Sequence, residues 1–137
     1  MTAATTLPWG RPLTRHDVHH LPDDGHRYEL LDGMFLVSPS PTHKHQRAAS
    51  RLVLLLGNAC PADRELLFAP FDVVLADDTV LQPDILVASA RDLEDERLPL
   101  VPHLVVEVLP EHAQGRSAAE TLPLRVGSRP LILGRRS

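Results

Sequence analysis

The sequence predicts a mixed α/β (α+β) domain with a β-sheet at its centre. Three observations predict this class: an Asp-Gly turn between two apolar runs, one long segment with helical periodicity, and several short β-branched-rich runs bounded by proline or polar residues. Short apolar runs of this kind are typical of strands buried on both faces. Because the order along the chain is helix, hairpin, helix and several strands, we expect a central sheet flanked by helices.

Length, composition and charge narrow the class of protein. With 137 residues, 43% of them hydrophobic, the chain suits one domain with a moderate core. The net charge of −4 excludes a surface that is basic as a whole, so any contact with nucleic acid must be local. The single cysteine, Cys60, cannot form an internal disulfide. No apolar run approaches transmembrane length and no secretory signal opens the chain, so we expect a cytoplasmic protein without a membrane partner.

Two segments carry helix signals. Residues 1–12 are rich in Thr, Ala and Pro, and we expect them to be a flexible N terminus. Thr14 and Asp17 can form a capping box for a short helix just after them. Thr42 can cap a longer helix over residues 43–57, for which Gly57-Asn58 supplies the stop. The apolar face predicted for this second helix consists of Ala48, Ala49, Leu52, Val53, Leu55 and Leu56.

The predicted strands begin with a hairpin. Residues 27–31 and 34–37 flank Asp32-Gly33, and Asp-Gly between apolar runs is the strongest short-range hairpin signal. Residues 89–100 are charged and contain Pro99, which predicts a surface loop. The other predicted strands cover residues 66–69, 71–75, 81–88 and 104–109.

Two of these apolar runs each contain one acid, Asp84 in the first and Glu107 in the second. A buried carboxylate is costly unless it is hydrogen-bonded, paired or bound to a metal. Two carboxylates on neighbouring strands suggest a site for a hard cation, because Mg²⁺ is held by one or two carboxylates together with substrate oxygens and water. From spacing alone, an equally good interpretation is that each acid lies at a strand end and caps a loop.

Five short strings, taken in order, resemble a known family. They cover residues 13–109 and resemble the family of putative restriction endonucleases in the PD-(D/E)xK nuclease superfamily. The strings are Arg-Tyr-Glu-Leu-Leu-Asp-Gly at 27–33, Ser-Pro-Ser-Pro at 38–41, His45-Gln46, Gln-Pro-Asp-Ile-Leu-Val at 82–87 and Val-Val-Glu-Val at 105–108. Each string is weak alone, and the five in sequence make the resemblance strong.

The resemblance implies a restriction-endonuclease-like central mixed sheet flanked by helices, with DNA as the substrate and Mg²⁺ as the cofactor. By motif position, Asp84 and Glu107 correspond to the metal-binding catalytic acids, and Glu29 to a glutamate of the first hairpin near the site. His45 and Gln46 match a His-Gln element and are accessory candidates. The resemblance also allows a homodimer. Without it, Glu29 could simply face solvent.

The chain departs from the family in its last quarter. The family's catalytic lysine lies beyond the second acid, whereas the only lysine here is Lys44, far upstream. We predict that residues 110–137 form a poorly ordered tail in which the C-terminal family elements are missing. Reading permitted codons of this segment one nucleotide later can restore family-like strings, so we interpret it as frameshifted. We therefore expect a weak or inactive endonuclease. A non-catalytic interaction or regulatory module, or a degraded gene product that retains only the fold, are the alternatives.

Overall fold

The computed structural model describes residues 10–96 and 98–109, and the expectations for residues 1–9 and for the tail at 110–137 lie outside them. Three helices and seven strands occur within the described residues. In chain order these are α1 (Arg15–Val18), β1 (Arg27–Leu31), β2 (Met34–Ser38), α2 (His43–Ala59), β3 (Arg64–Phe68), β4 (Val73–Ala76), β5 (Thr79–Leu81), β6 (Ile85–Ser89), α3 (Ala90–Glu94) and β7 (Leu104–Val106).

The strands form two sheets, with the orders β2-β1-β5-β4 and β3-β6-β7. The predicted class is confirmed, since this is a mixed α+β arrangement consistent with a restriction-endonuclease-like fold. The expected central mixed sheet is, however, divided in two, and every strand pair of the described residues is antiparallel. The chain leaves one sheet and enters the other at Pro70 and again at Pro83. Proline has no N–H for a strand ladder, so it suits these two short crossings, whereas the earlier passage from β2 to β3 runs through α2.

The predicted hairpin is confirmed. Asp32 and Gly33 have φ angles of 49° and 77°, so both occupy the left-handed region that a tight two-residue turn requires. The turn is also packed against the rest of the chain. Leu13 N donates to Gly33 O over 2.9 Å, and a Cβ added at Gly33 would lie 2.8 Å from Pro12 Cβ. Glycine is therefore needed at position 33 for its backbone conformation and for its lack of a side chain.

Both predicted helix starts are confirmed. Thr14 N and Thr14 Oγ1 donate to Asp17 Oδ2 over 2.7 and 3.1 Å at the start of α1. Arg11 also pairs with Asp17 over 3.0 Å and lowers the pKa of its carboxyl group. At the start of α2, Thr42 Oγ1 accepts a hydrogen bond from His45 N. Side-chain acceptors at these positions satisfy N–H groups that have no partner within the helix.

Two details predicted for α2 are wrong. The helix continues through Gly57 to Ala59, because Gly57 keeps a right-handed backbone and the chain becomes extended only at Cys60. Leu55, predicted on the apolar face, is 69% exposed. The half-buried and buried positions of α2 are 45, 48, 49, 52, 53 and 56, which follow helical spacing, and position 55 falls outside that stripe.

Two further predictions are corrected. The single strand predicted over 81–88 is split into β5 and β6 by residues 82–84, where Pro83 interrupts the ladder. The loop predicted over 89–100 begins with helix α3. Ser89 accepts a hydrogen bond from Asp92 N, and this N-cap at the end of β6 starts a helix among residues that composition alone assigned to a loop.

The core lies around β6, the central strand of its sheet. Its first four residues, Ile85 to Ala88, are all buried, as expected for a strand covered on both faces. Leu86 packs with Val73 of β4 and with Leu100, and Leu100 N donates to Val74 O over 3.2 Å. These contacts join the two sheets and fix the position of the segment before β6. Within the described residues, the helices are too short or too polar for one to cross a lipid bilayer.

Candidate metal and catalytic site

Asp84 and Glu107 lie at the same end of one strand pair. Asp84 immediately precedes β6 and Glu107 immediately follows β7. These strands are antiparallel, and Ile85 lies opposite Val106. The next residues outward on the two strands are therefore Asp84 and Glu107. The sequence predicted both acids within adjacent strands. The structure places them one residue outside β6 and β7, at the same end of the pair, and their chemical roles stay a prediction.

Asp84 is the charged residue that is buried, at 5% exposure, among the described residues. Its Oδ1 accepts a hydrogen bond from Arg27 Nη1 over 3.0 Å. Its Oδ2 accepts one from Val108 N over 2.7 Å and lies 3.0 Å from His45 Nε2. These partners replace the hydration that the carboxylate loses on burial, and charge-assisted bonds of this kind are among the stronger ones in proteins.

The carboxyl group of Glu107 is held in its protonated form. Burial and then the charge of Asp84 raise its pKa to about 8, Glu29 adds a smaller increase, and Arg27 opposes the shift. The residue as a whole is exposed, so the shift concerns its carboxyl end, which lies near Asp84. A carboxylate close to a second carboxyl group disfavours ionisation of that group. At neutral pH the raised pKa therefore favours the protonated form of Glu107.

Glu29 faces this junction and not solvent, since its side chain is only 14% exposed. Its Oε1 accepts a hydrogen bond from Gln82 N over 2.8 Å. Gln82 Nε2 in turn donates to Asp72 Oδ1 over 2.7 Å. The side chain of Glu29 therefore holds the segment at residues 82–84, which crosses from one sheet to the other and ends in Asp84. In this structure Glu29 orients the backbone next to the buried acid.

The two accessory candidates from α2 differ. His45 reaches the site through its Nε2, which donates to Asp84 in the tautomer protonated at that atom. Its Nδ1 is buried and has no hydrogen-bond partner in the part of the chain that is described. Gln46 is exposed, and its hydrogen bond to Thr42 is the backbone bond of the helix. The structure therefore brings His45 into the site and leaves Gln46 outside it.

Sequence reasoning missed Arg27 as a site residue. Its Nη1 donates to Asp84 Oδ1 and to Gln82 O, over 3.0 and 3.1 Å, and its Nε lies 3.8 Å from Glu29 Oε2. The sequence contained a signal for Arg27, because side chains alternate between the two faces of a strand and residues two apart share a face. An arginine two positions before a candidate acid could have been assigned to the same site.

The donor set fits a hard cation held by few protein ligands. Among residues 10–96 and 98–109, no group of three or more His, Cys, Asp and Glu side chains is arranged to hold a metal ion. Such a group is the usual requirement for Zn²⁺, whereas Mg²⁺ uses one or two carboxylates and keeps several waters. Asp84 and Glu107 are the two carboxyl groups that would hold such an ion, and a dication would favour the ionised form of Glu107.

Comparison with known proteins identifies the family. The family model described as "Putative restriction endonuclease" (Uma2) matches residues 15–119. The matched range continues past Leu109, so it includes the first part of the segment that the sequence analysis assigned to a non-family tail. No curated protein matches the chain. Because the family match covers more than half of the sequence and contains all of the site residues described above, the chain belongs to this family of putative restriction endonucleases.

Proposed function

We propose that this protein is a Mg²⁺-dependent endonuclease-like domain that hydrolyses phosphodiester bonds of DNA, and that its activity is weak. The observation that carries the proposal is the position of Asp84 and Glu107 at the same end of the β6–β7 pair, where burial and the charge of Asp84 raise the pKa of Glu107. Membership of a restriction endonuclease family supports DNA as the substrate. A cytoplasmic location and a homodimer remain predictions.

The carboxylates of Asp84 and Glu107 are the groups that would hold Mg²⁺. When bound, the ion would polarise the scissile phosphate and lower the pKa of an attacking water. The other residues act on the acids. Val108 N and His45 fix the Oδ2 atom of Asp84, and Glu29 fixes the backbone that precedes it. Supporting contacts of this kind orient metal ligands and tune their basicity.

The position of the only lysine is the reason to expect weak activity. Lys44 is exposed and directly precedes His45 on α2. Lys44 lies upstream of both acids, whereas the family that the sequence resembles has its catalytic lysine beyond the second acid. Loss of a group that stabilises charge in the transition state typically lowers kcat by about 10²–10³-fold.

Nicking of supercoiled plasmid in the presence of Mg²⁺ tests the proposal. We expect slow nicking by the unchanged protein and none by Asp84→Asn or Glu107→Gln. Glu65→Gln is the matched control, because Glu65 is an exposed acid on β3 and the substitution removes the same charge. Nicking that persists at the same rate in Asp84→Asn would show that the cleavage does not depend on this site.

One observation favours a second candidate, a non-catalytic interaction or regulatory module. Both oxygens of Asp84 already have protein partners, so the site is electrostatically satisfied without an ion. This candidate predicts a folded protein whose melting temperature is unchanged by Mg²⁺ and which does not nick plasmid. A Mg²⁺-dependent increase in melting temperature that is lost in Asp84→Asn would exclude it.

A further inference from the structure

Arg27 occupies the centre of the acidic site. Its guanidinium group contacts Asp84 Oδ1 at 3.0 Å and the carbonyl oxygen of Gln82 at 3.1 Å, and its Nε lies 3.8 Å from Glu29. One cation of the protein therefore acts on both Asp84 and Glu29.

The oxygen that Arg27 contacts is the one that a cation would use. Asp84 Oδ2 is engaged by Val108 N and by His45, whereas Oδ1 has Arg27 as its side-chain partner. The side chain of Arg27 is 29% exposed and that of Asp84 is 4% exposed, so the guanidinium is the more solvated member of the pair. An ion that enters from solvent and approaches Oδ1 meets this guanidinium.

We propose that Arg27 is the internal counter-ion of these acids, and that a divalent cation binds only when the guanidinium is displaced from Asp84 Oδ1. The inference rests on the proposed Mg²⁺ site and assigns Arg27 as a positioning residue that sets its affinity. Mg²⁺–oxygen distances are about 2.0–2.1 Å, so an ion on Oδ1 would lie within about 5 Å of a guanidinium left in place. At that separation, repulsion between a dication and a permanently charged arginine is strong.

The opposite role for Arg27 would give the opposite result. If the guanidinium only orients Asp84 for the ion, its removal would misplace the carboxylate and weaken Mg²⁺ binding. If it is a competing counter-ion, its removal leaves Asp84 and Glu29 without a cation, which destabilises the ion-free protein and tightens Mg²⁺ binding. The sign of the change in Kd therefore separates the two roles, and this measurement does not depend on catalysis.

The experiment is calorimetric titration of the full chain with MgCl₂, together with melting curves at several Mg²⁺ concentrations. For Arg27→Gln we expect a Kd about tenfold lower than that of the unchanged protein, since one repulsive charge is removed next to a dication. We also expect a lower melting temperature without Mg²⁺ and a larger increase when it is added. Arg27→Lys keeps the charge and should keep an affinity close to the original.

Arg15→Gln is the matched control. Arg15 has a similar exposure, 32%, and its ion pair is with Asp77 over 3.1 Å. We expect no change in Mg²⁺ affinity for this variant. The double variant Arg27→Gln/Asp84→Asn tests whether the tighter Mg²⁺ binding of Arg27→Gln depends on Asp84. We expect the double variant to lose that tighter binding.

The outcomes separate this inference from the function proposed above. The first outcome is that the unchanged protein binds Mg²⁺, that Asp84→Asn does not, and that the Kd of Arg27→Gln is unchanged or higher. This result would overturn the counter-ion role of Arg27 and leave the Mg²⁺ site intact. Absence of binding in both proteins would overturn both proposals. Binding by Arg27→Gln alone would support the inference. If Arg27→Gln is unfolded without Mg²⁺, cooperative refolding on its addition supports the inference, and failure to refold contradicts it.

Discussion

The protonated state of Glu107 leads to a specific prediction about folding stability. In the folded protein burial and the charge of Asp84 raise the pKa of this carboxyl group to about 8, from an ordinary value near 4.5. Below the ordinary value the group is protonated in both the folded and the unfolded chain, and its titration costs nothing. As pH rises from 4.5 to 8, the unfolded chain releases the proton and the folded chain retains it, so the free energy of unfolding falls.

Glu107→Gln removes this cost. A glutamine amide has a similar shape to the protonated carboxyl and can still donate a hydrogen bond to Asp84, but it does not ionise. One pKa unit corresponds to about 1.4 kcal/mol, so the full shift would amount to several kcal/mol. Because Glu107 is exposed as a residue, solvent screens much of this, and we expect a stabilisation of about 1–2 kcal/mol at pH 8. At pH 4 the effect should be close to zero.

Urea denaturation at pH 4 and pH 8 measures this difference. The variant Glu65→Gln is the control, since it removes an exposed carboxylate from β3 and should show no comparable dependence on pH. Added Mg²⁺ should stabilise the unchanged protein more than Glu107→Gln at pH 8, because only an ionised carboxylate gains from the ion. Equal stability of Glu107→Gln and the unchanged protein at both pH values would refute the raised pKa of Glu107 in the folded protein.

Three further predictions follow from packing and from the tail. Gly33→Ala should lower the free energy of unfolding by about 1–2 kcal/mol, because Gly33 has a positive φ and close neighbours. Gly57→Ala should raise it by up to about 1 kcal/mol, because Gly57 lies on a helix with open space around it. Urea denaturation of both variants checks the opposite signs. Leu86→Ala, at a fully buried position, should cost about 2–5 kcal/mol and Leu54→Ala, at a 68% exposed one, should be nearly neutral by the same measurement. A protein in which residues 110–137 are replaced by the frame-restored sequence should nick plasmid faster and melt at a higher temperature than this chain, and equal Asp84-dependent nicking by both would contradict the lysine argument.

Local patterns predicted the elements well where local interactions decide them. The hairpin turn at Asp32-Gly33 and the helix caps at Thr14 and Thr42 are all observed, because each depends on residues within four positions of one another. The start of α3 was missed for a related reason. Its cap at Ser89 lies at the end of a strand, and the charged composition after it outweighed the capping signal.

The site was predicted in part. Asp84 and Glu107 were identified because an acid within an apolar run is unusual, and the family resemblance added Glu29 and His45. Arg27 was missed because its contact with Asp84 joins residues 57 positions apart, which no local pattern encodes. Gln46 was included because it belongs to the His-Gln string of the family resemblance, but neighbouring side chains on a helix point in different directions, and Gln46 is exposed.

By itself the sequence determined the mixed α+β class, the family and the two acids, since hydrophobic periodicity, turn residues and short motifs are properties of neighbouring positions. Only the tertiary structure decided the division of the strands into two sheets and the proximity of Arg27 to the acids. It also decided the protonation of Glu107, because a pKa depends on the burial and charge of groups brought together from β1, the segment before β6 and the end of β7. Long-range pairing sets these distances, and electrostatic interactions depend on distance and not on separation along the chain.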